Sequence, residues 1–378
     1  MSISTVTLSP GDRAPLFVLP DVDGERFVLS DEAGKPAIVF FYAQDEMSGC
    51  EEVAIAFRDL MPTCQTADVQ IYSISLDSPA SRQAFAQKHE LPYTLLCDRN
   101  KAVSKLYGVC RPTDDGNGDW VYARAAFLLD ANLRVLQIYH LGKLETAIDR
   151  IRTDIQTRIP REEPRHMTAQ APVLLIPNVL EKGFCQDLIE LWKTDNSDSG
   201  FMKREGNKTV GYIDHTHKIR RDCFIRDSKL ASRLGNIVQR RIFPEIERAF
   251  QFEATNWESF RIGSYDASRG GFFRPHRDNT TGGTAHRRFA MTLNLNAGEY
   301  EGGYLRFPEH GPHLYRPETG SAVIFSCSLT HEATDITAGE RFVLLSFFYG
   351  RKDAERRRAY EKQAQNDYDN IITIDRSL

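Results

Sequence analysis

Gly271-Phe-Phe-Arg-Pro-His276-Arg277-Asp278 sets an imidazole and a carboxylate two residues apart. On a strand the two side chains share a face, because side chains alternate with period 2. A second imidazole follows in Phe325-Ser-Cys-Ser-Leu-Thr-His331-Glu332. Two imidazoles and one carboxylate on one face of a metal form the facial ligand set of non-haem Fe(II), with three coordination positions left open. Zn(II) accepts the same ligand types. Arg341, ten residues after His331, lies in Gly339-Glu-Arg341-Phe-Val-Leu344. Its position suits a clamp for the distal carboxylate of a 2-oxo acid chelated to that metal, and this favours Fe(II). Around these residues, from Asn256 to Gly350, short strand signals alternate with Gly- and Pro-rich turns: Ser259–Ile262, Phe289–Leu295, Gly303–Phe307, Ser321–Ser326 and Arg341–Tyr349. That pattern indicates a sandwich or barrel.

Working outward, the rest of the chain reads differently. Residues 1 to 157 alternate strand and helix signals, as in an α/β sandwich. The run Ala37-Ile-Val-Phe-Phe-Tyr42 is a buried strand and Val69–Ser75 a second one. Helical spacing covers Cys50–Met61 and Ser78–His89; a hairpin is expected over Ala125–Asp130 and Val135–Tyr139, and a closing helix over Leu144–Ile159. Residues 158–170 hold two prolines and many charges, and read as a linker. Residues 171–352 form the β-rich domain, which opens with a strand at Val173–Pro177 and a helix at Glu181–Lys193. Leu230–Phe250 is helical with a break at Pro244. Residues 353–378 are a polar, helix-prone tail.

The whole chain has 378 residues, 41% hydrophobic and 26% charged, with a net charge of -4. These values suit two globular cores and provide no basic field for nucleic acid or membrane. No apolar run approaches the ~20 residues of a membrane span, and the N-terminus lacks the charged and apolar regions of a signal peptide. The seven cysteines are scattered and form no C-x-x-C pair, so a reduced cytoplasmic protein is expected.

Residues 171 to about 350 resemble the 2-oxoglutarate/Fe(II)-dependent dioxygenases, in particular the prolyl 4-hydroxylase-like branch. The resemblance rests on Ala171–Leu180, Tyr265–Asp278, Thr292–Asn296, Gly302–Pro308 and Pro317–Arg341. It implies a double-stranded β-helix (jelly roll) with supporting helices. The implied reaction couples oxidative decarboxylation of 2-oxoglutarate, giving succinate and CO₂, to hydroxylation of a C–H bond by O₂, with ascorbate in support. It also implies that His276, Asp278 and His331 bind iron and that Arg341 and Tyr265 bind 2-oxoglutarate. Where the family often carries Tyr three residues before the first ligand, this chain has Phe273. By analogy, Lys203–Arg221 is a loop over the site. His215 and His217 lack a third ligand nearby and read as bland.

Residues 5 to about 155 resemble a peroxiredoxin of thioredoxin-like fold, through Leu8–Pro20, Phe41–Asp59 and Arg124–Asp130. Cys50 falls on the peroxidatic cysteine and Arg124 on the arginine that supports its thiolate. At the start of a helix the thiol sees the positive helix end, which favours thiolate. The family's threonine is Met47 here, the proline of its entry is Ala43, and Ile55 stands where some relatives carry the resolving cysteine. Cys97 and Cys110 are the remaining resolving candidates. The expected partners are a small-molecule, protein or peptide substrate and a second copy of the chain. Two rival readings stay open: a thiol peroxidase acting through Cys50, and a redox or 2-oxoglutarate sensor without turnover.

Overall fold

The structure, a computed structural model, describes residues 8–113, 120–159, 163, 166–206 and 208–375, with side chains given to residue 364. Residues 160–162, 164 and 165 of the expected linker lie outside the described residues, as do 1–7 and 376–378. The chain divides into two compact units, Met1–Arg165 and His166–Leu378.

In the first unit, Ala37–Phe41 is a strand with all five residues buried, as expected for a run of apolar and aromatic residues covered on both faces. It sits mid-sheet in the order Thr94–Cys97, Gln70–Ser75, Ala37–Phe41, Ala125–Leu129, Val135–His140. The first three strands run parallel, and the last two are antiparallel to their neighbours. Alternation divides the core. Ile38 and Phe40 face Phe57 of helix Cys50–Thr66 and Ile151 of helix Leu144–Arg158. Val39 and Phe41 face Phe17, Tyr107 and Phe127. Helix Pro79–His89 begins at Ser78, whose Oγ accepts from the Ser81 N–H at 3.3 Å, with Pro79 in the first turn. This is a thioredoxin-like arrangement. The edge strand Thr94–Cys97 had no signal of its own in the sequence.

The second unit is built on antiparallel sheets. The larger runs Leu174–Ile176, Ala322–Ser326, Phe289–Asn294, Ile336–Tyr349, Arg261–Asp266, Arg221–Phe224, Ser197–Asp198. The smaller runs Lys218–Ile219, Phe272–His276, His331–Ala333, Leu305–Arg306, Leu314–Tyr315. Ile262, Met291, Ile324 and Leu344 of the larger sheet share one core with Leu188, Leu234, Val238 and Ile246, which lie on the helices Lys182–Thr194, Ser228–Arg241 and Phe243–Phe250. Pro244 stands in the first turn of the third helix, where a missing N–H is harmless. The alternate residues Arg261, Gly263 and Tyr265 pair with Leu345, Val343 and Arg341. All of these but Gly263 line a cavity on the sheet's other face.

Three sequence expectations change. The strand expected at Ser259–Ile262 is Arg261–Asp266. The segment expected as a loop over the site is a hairpin of Phe201–Glu205 and Lys208–Tyr212, followed by the strands Lys218–Ile219 and Arg221–Phe224. The strand through His276 ends there, so Asp278 lies in the turn beyond it and not on the strand. The polar tail is the helix Arg351–Asp375. Among the described residues no helix is long and apolar enough to cross a membrane.

Candidate functional site

His276 closes one strand of the smaller sheet and faces His331, which opens the next. Their ring centroids are 4.3 Å apart. Asp278 reaches the same point from its turn, where its backbone N–H donates to the Cys327 carbonyl at 3.0 Å. His276 Nε2 lies 3.6 Å from Asp278 Oδ1, and His331 Nε2 lies 3.3 Å from Asp278 Oδ2. One ligand atom from each residue falls within 4.8 Å of the others. Nδ1 of His276 is 2.8 Å from the Arg274 carbonyl oxygen and Nδ1 of His331 is 3.0 Å from that of Leu329. A carbonyl only accepts, so Nδ1 holds the proton and the Nε2 lone pair is presented to the centre. Three electron-pair donors thus converge, which is the arrangement a divalent cation fits.

The electrostatics agree. Burial alone would raise the Asp278 carboxyl, but His331 and His276 outweigh it and hold it well below the usual carboxylate range. Burial, reinforced by His331, pushes His276 down to about 4. Burial also works against a charged His331, but the Asp278 carboxylate overrides it and raises this imidazole.

Residues around the ligands fix them. Phe273 stacks on His276 with centroids 3.5 Å apart and planes at 20°, so this phenylalanine packs against a candidate ligand. Arg287 Nη1 donates to the Asp278 carbonyl at 3.3 Å, while its Nε and Nη2 grip Glu258 at 2.6 and 2.9 Å. Burial would raise Glu258, but His286 and Arg287 bring it down to about 2. Neither Arg287 nor Glu258 stood out in the sequence, because an isolated Arg and Glu 29 residues apart carry no spacing signal.

Arg341 is 2% exposed. Its Nη1 donates to the Gly303 carbonyl and its Nη2 to Asn294 Oδ1 at 3.2 Å, while its Nε is buried without a partner. Its guanidinium carbon is 5.5 Å from the Tyr265 ring and 6.0 Å from that of Tyr300. A buried cation without a counter-anion is costly, so a ligand carboxylate fits here. Tyr265 is buried, and its hydroxyl accepts from Arg220 Nη1 at 3.4 Å. The ligand set, Arg341 and Tyr265 open onto one cavity of about 700 Å³. Met202 and Tyr212 of the hairpin form part of its wall. His217 packs against Phe201 and Phe273. Neither His215 nor His217 belongs to a metal-competent cluster among the described residues.

In the first unit, Cys50 is the first residue of helix Cys50–Thr66 and is 2% exposed. Arg124 Nη1 donates to the Ser48 carbonyl at 3.3 Å. Gly49, at φ +79, leaves room for that guanidinium, since a Cβ there would lie 1.9 Å from Nη1. The thiolate expected from the helix end is overruled: burial pushes the Cys50 thiol up, and the Gln44 backbone and Arg124 offset this only in part. Met47 is half exposed. All seven cysteines are free and buried, and burial raises Cys97 and Cys110 as well. The sequence reading missed a fully buried pair behind this loop. Arg82 Nη1 donates to Asp45 Oδ1 at 3.2 Å, and Tyr42 donates to the same oxygen at 2.8 Å.

A thioredoxin-like unit with a cysteine opening a helix stands in one chain with a β-rich unit that gathers two histidines and one carboxylate. Residues 10–138 match the AhpC/TSA family and residues 260–349 match the 2OG-Fe(II) oxygenase superfamily. The putative peroxiredoxin bcp of Coxiella burnetii is 40% identical over 104 residues, which is 28% of this chain and 69% of that protein. The chloroplastic peroxiredoxin Q of Gentiana triflora is 39% identical over 133 residues, 35% of this chain and 59% of that protein. That of Suaeda salsa is 40% identical over the same number, covering 60% of its length. The match thus spans about three fifths of these chloroplastic relatives. A solved structure of Xanthomonas campestris peroxiredoxin Q is 22% identical, with a TM-score of 0.37, covering 40% of this chain and 99% of that one. The chain belongs to the peroxiredoxin family through its first unit and carries a 2OG-Fe(II) oxygenase domain in its second.

Proposed function

We propose that the second unit hydroxylates a C–H bond, with 2-oxoglutarate converted to succinate and CO₂, and that its two sheets are the double-stranded β-helix of the prolyl 4-hydroxylase-like branch. The observation that carries this reading is the convergence of His276, Asp278 and His331 in the same cavity as a buried Arg341 without a counter-anion. Bound Fe(II) and 2-oxoglutarate supply the oxidising chemistry by activating O₂. The chain's own residues hold and orient. His276, Asp278 and His331 would hold the metal. The carbonyls of Arg274 and Leu329 keep both Nε2 atoms turned inward. Arg287 steadies the Asp278 turn. Arg341 receives the distal carboxylate, with its plane set by Asn294 and Gly303, and Tyr265 borders it. Phe273 shields one face of His276 from water.

The substrate is a protein prolyl residue, an amino acid or a small metabolite. Mass spectrometry of such candidates, incubated with the protein, Fe(II) and 2-oxoglutarate, should detect a gain of about 16 Da, one oxygen atom. If succinate is never released above the protein-free rate, the reading fails.

Arg124 against the Cys50 loop, together with the peroxiredoxin relatives, supports a second activity in the first unit: slow thiol peroxidation at Cys50. Peroxide consumption lost in Cys50→Ser and kept in His276→Ala is the expected result. Consumption unaffected by Cys50→Ser removes it.

A further inference from the structure

Most of the charges on the cavity wall of the second unit are spoken for. Arg220 grips Asp222 through Nε and Nη2, each at 2.7 Å. Arg287 is paired with Glu258 and Arg277 with Glu309. Asp198 pairs with Arg269. Three lining cations remain with no carboxylate at ion-pair distance among the described residues: Arg341, Lys218 and Arg261. The oxygenase reading, on which this inference rests, assigns Arg341 to 2-oxoglutarate. It leaves the other two with no carboxylate at ion-pair distance among the described residues.

Arg261 is four residues from Tyr265 on the same strand and pairs with Leu345, whereas Tyr265 pairs with Arg341. At ~3.3 Å per residue the two rungs are about 13 Å apart. The Arg261 guanidinium carbon lies 5.2 Å from the Phe347 ring and 5.8 Å from that of Phe224. Phe347 is beyond Leu345 along the strand, so the Arg261 side chain extends away from the Arg341 rung. Its Nε is buried without a hydrogen bond.

Lys218 is 3% exposed. Its ammonium donates to Ser199 Oγ at 2.7 Å and to the Gly200 carbonyl at 2.6 Å, both neutral acceptors. An ammonium has three donors, so one is left over. It stands 4.7 Å from the centre of the Phe273 ring, the ring that stacks on His276. Burial and the charges of Arg220 and Arg261 push this group well below the usual lysine range, and an anion at the spare donor would hold it in the charged form. Asp222 is an electrostatic neighbour of both cations, but it stands at ion-pair distance from neither, and its single charge is shared with Arg220, which grips it through two hydrogen bonds. Buried cations in proteins are paired. Around them the wall is apolar and aromatic: Phe224, Phe347, Met202 and Tyr212.

We propose that the substrate of the oxygenase unit is an anion, carrying a carboxylate or phosphate that is taken by Arg261 and Lys218, with an apolar body lying against the aromatic wall. The site selects charge at one end of the cavity and leaves the C–H bond to be oxidised beside the ligand set.

The test is a calorimetric titration of the full chain loaded with Mn(II), with and without 2-oxoglutarate. The probes are three matched pairs: 3-phenylpropionate and 3-phenylpropanamide, hexanoate and hexanamide, phenyl phosphate and phenol. At least one anion should bind tenfold or more tightly than its neutral partner, and the pair that responds separates a carboxylate from a phosphate ligand. Arg261→Gln and Lys218→Met should each erase most of that preference, and Arg261→Lys should restore part of it. No anion preferred by the wild type, or a preference that survives both substitutions, overturns the proposal. Tight 2-oxoglutarate binding with no anion preference sinks this inference alone. Absent 2-oxoglutarate binding sinks the oxygenase reading, and the titrations without it still score the anion site. Thermal melts of each variant separate lost binding from lost folding.

Discussion

Replacing Arg341 by Gln removes the guanidinium that the account gives to the distal carboxylate of 2-oxoglutarate. Two of its donors are committed to Gly303 and Asn294, and Nε is buried and unpartnered. The remaining N–H groups and the charge face the cavity. Hydrogen bonds to a charged group contribute about 1.5–3 kcal/mol each, so losing a bidentate pair costs roughly 3–6 kcal/mol, or about 10²- to 10⁴-fold in affinity. Arg341→Lys keeps the charge but not the fork and should fall between. The assay is equilibrium binding of 2-oxoglutarate to the Mn(II)-loaded protein, with Mn(II) affinity measured in parallel. The account requires a large loss for 2-oxoglutarate and a small one for Mn(II), since Arg341 does not touch the ligand set. An Arg341→Gln protein that folds and binds 2-oxoglutarate within threefold of wild type refutes the reasoning.

Other expectations follow from the same contacts. Glu258 titrates near 2 instead of the usual 4.5, so its pairing stabilises the fold fully above pH 4.5 and is lost as pH falls through about 2. That difference corresponds to roughly 3 kcal/mol at most, so Glu258→Gln should be clearly less stable to urea at pH 7, with the gap closing in acid. A pH-independent gap contradicts it. Alkylation of Cys50 should be slow at pH 7 and accelerate above the ordinary thiol range, because burial raises it; rapid labelling that is flat from pH 6 to 8 speaks against this. Gly49→Ala forces a side chain into a left-handed backbone and onto Arg124, and should cost about 1–3 kcal/mol of stability. Urea curves that overlay with wild type exclude that clash.

The chemistry of the second unit was legible in residue types: His276, Asp278, His331 and Arg341 are unusual in kind and fall beside recognisable strands. Period-2 alternation cannot place Asp278, because the strand ends at His276 and a turn bonded to Cys327 brings the carboxylate in. Within the expected loop Lys203–Arg221, the hairpin strands Phe201–Glu205 and Lys208–Tyr212 show little alternation because charged residues mask it, and strands that short are fixed by pairing more than by propensity. Cys50 shows a local rule losing to tertiary context: the helix end favours thiolate, but burial at 2% exposure dominates. Arg287, Glu258, Lys218 and Arg261 were invisible for a common reason. A buried ion pair, or a buried cation lacking one, is defined by what lies across the fold, and sequence spacing does not report that.

The most direct measurement is succinate release from 2-oxoglutarate by the full chain with Fe(II) and O₂, in wild type and in Asp278→Ala. The account predicts Fe(II)-dependent release by the wild type and loss of it to background in the variant, with thermal melts confirming that the variant is folded. Equal release by the two proteins contradicts it, because the Asp278 carboxylate is the anionic member of the metal centre.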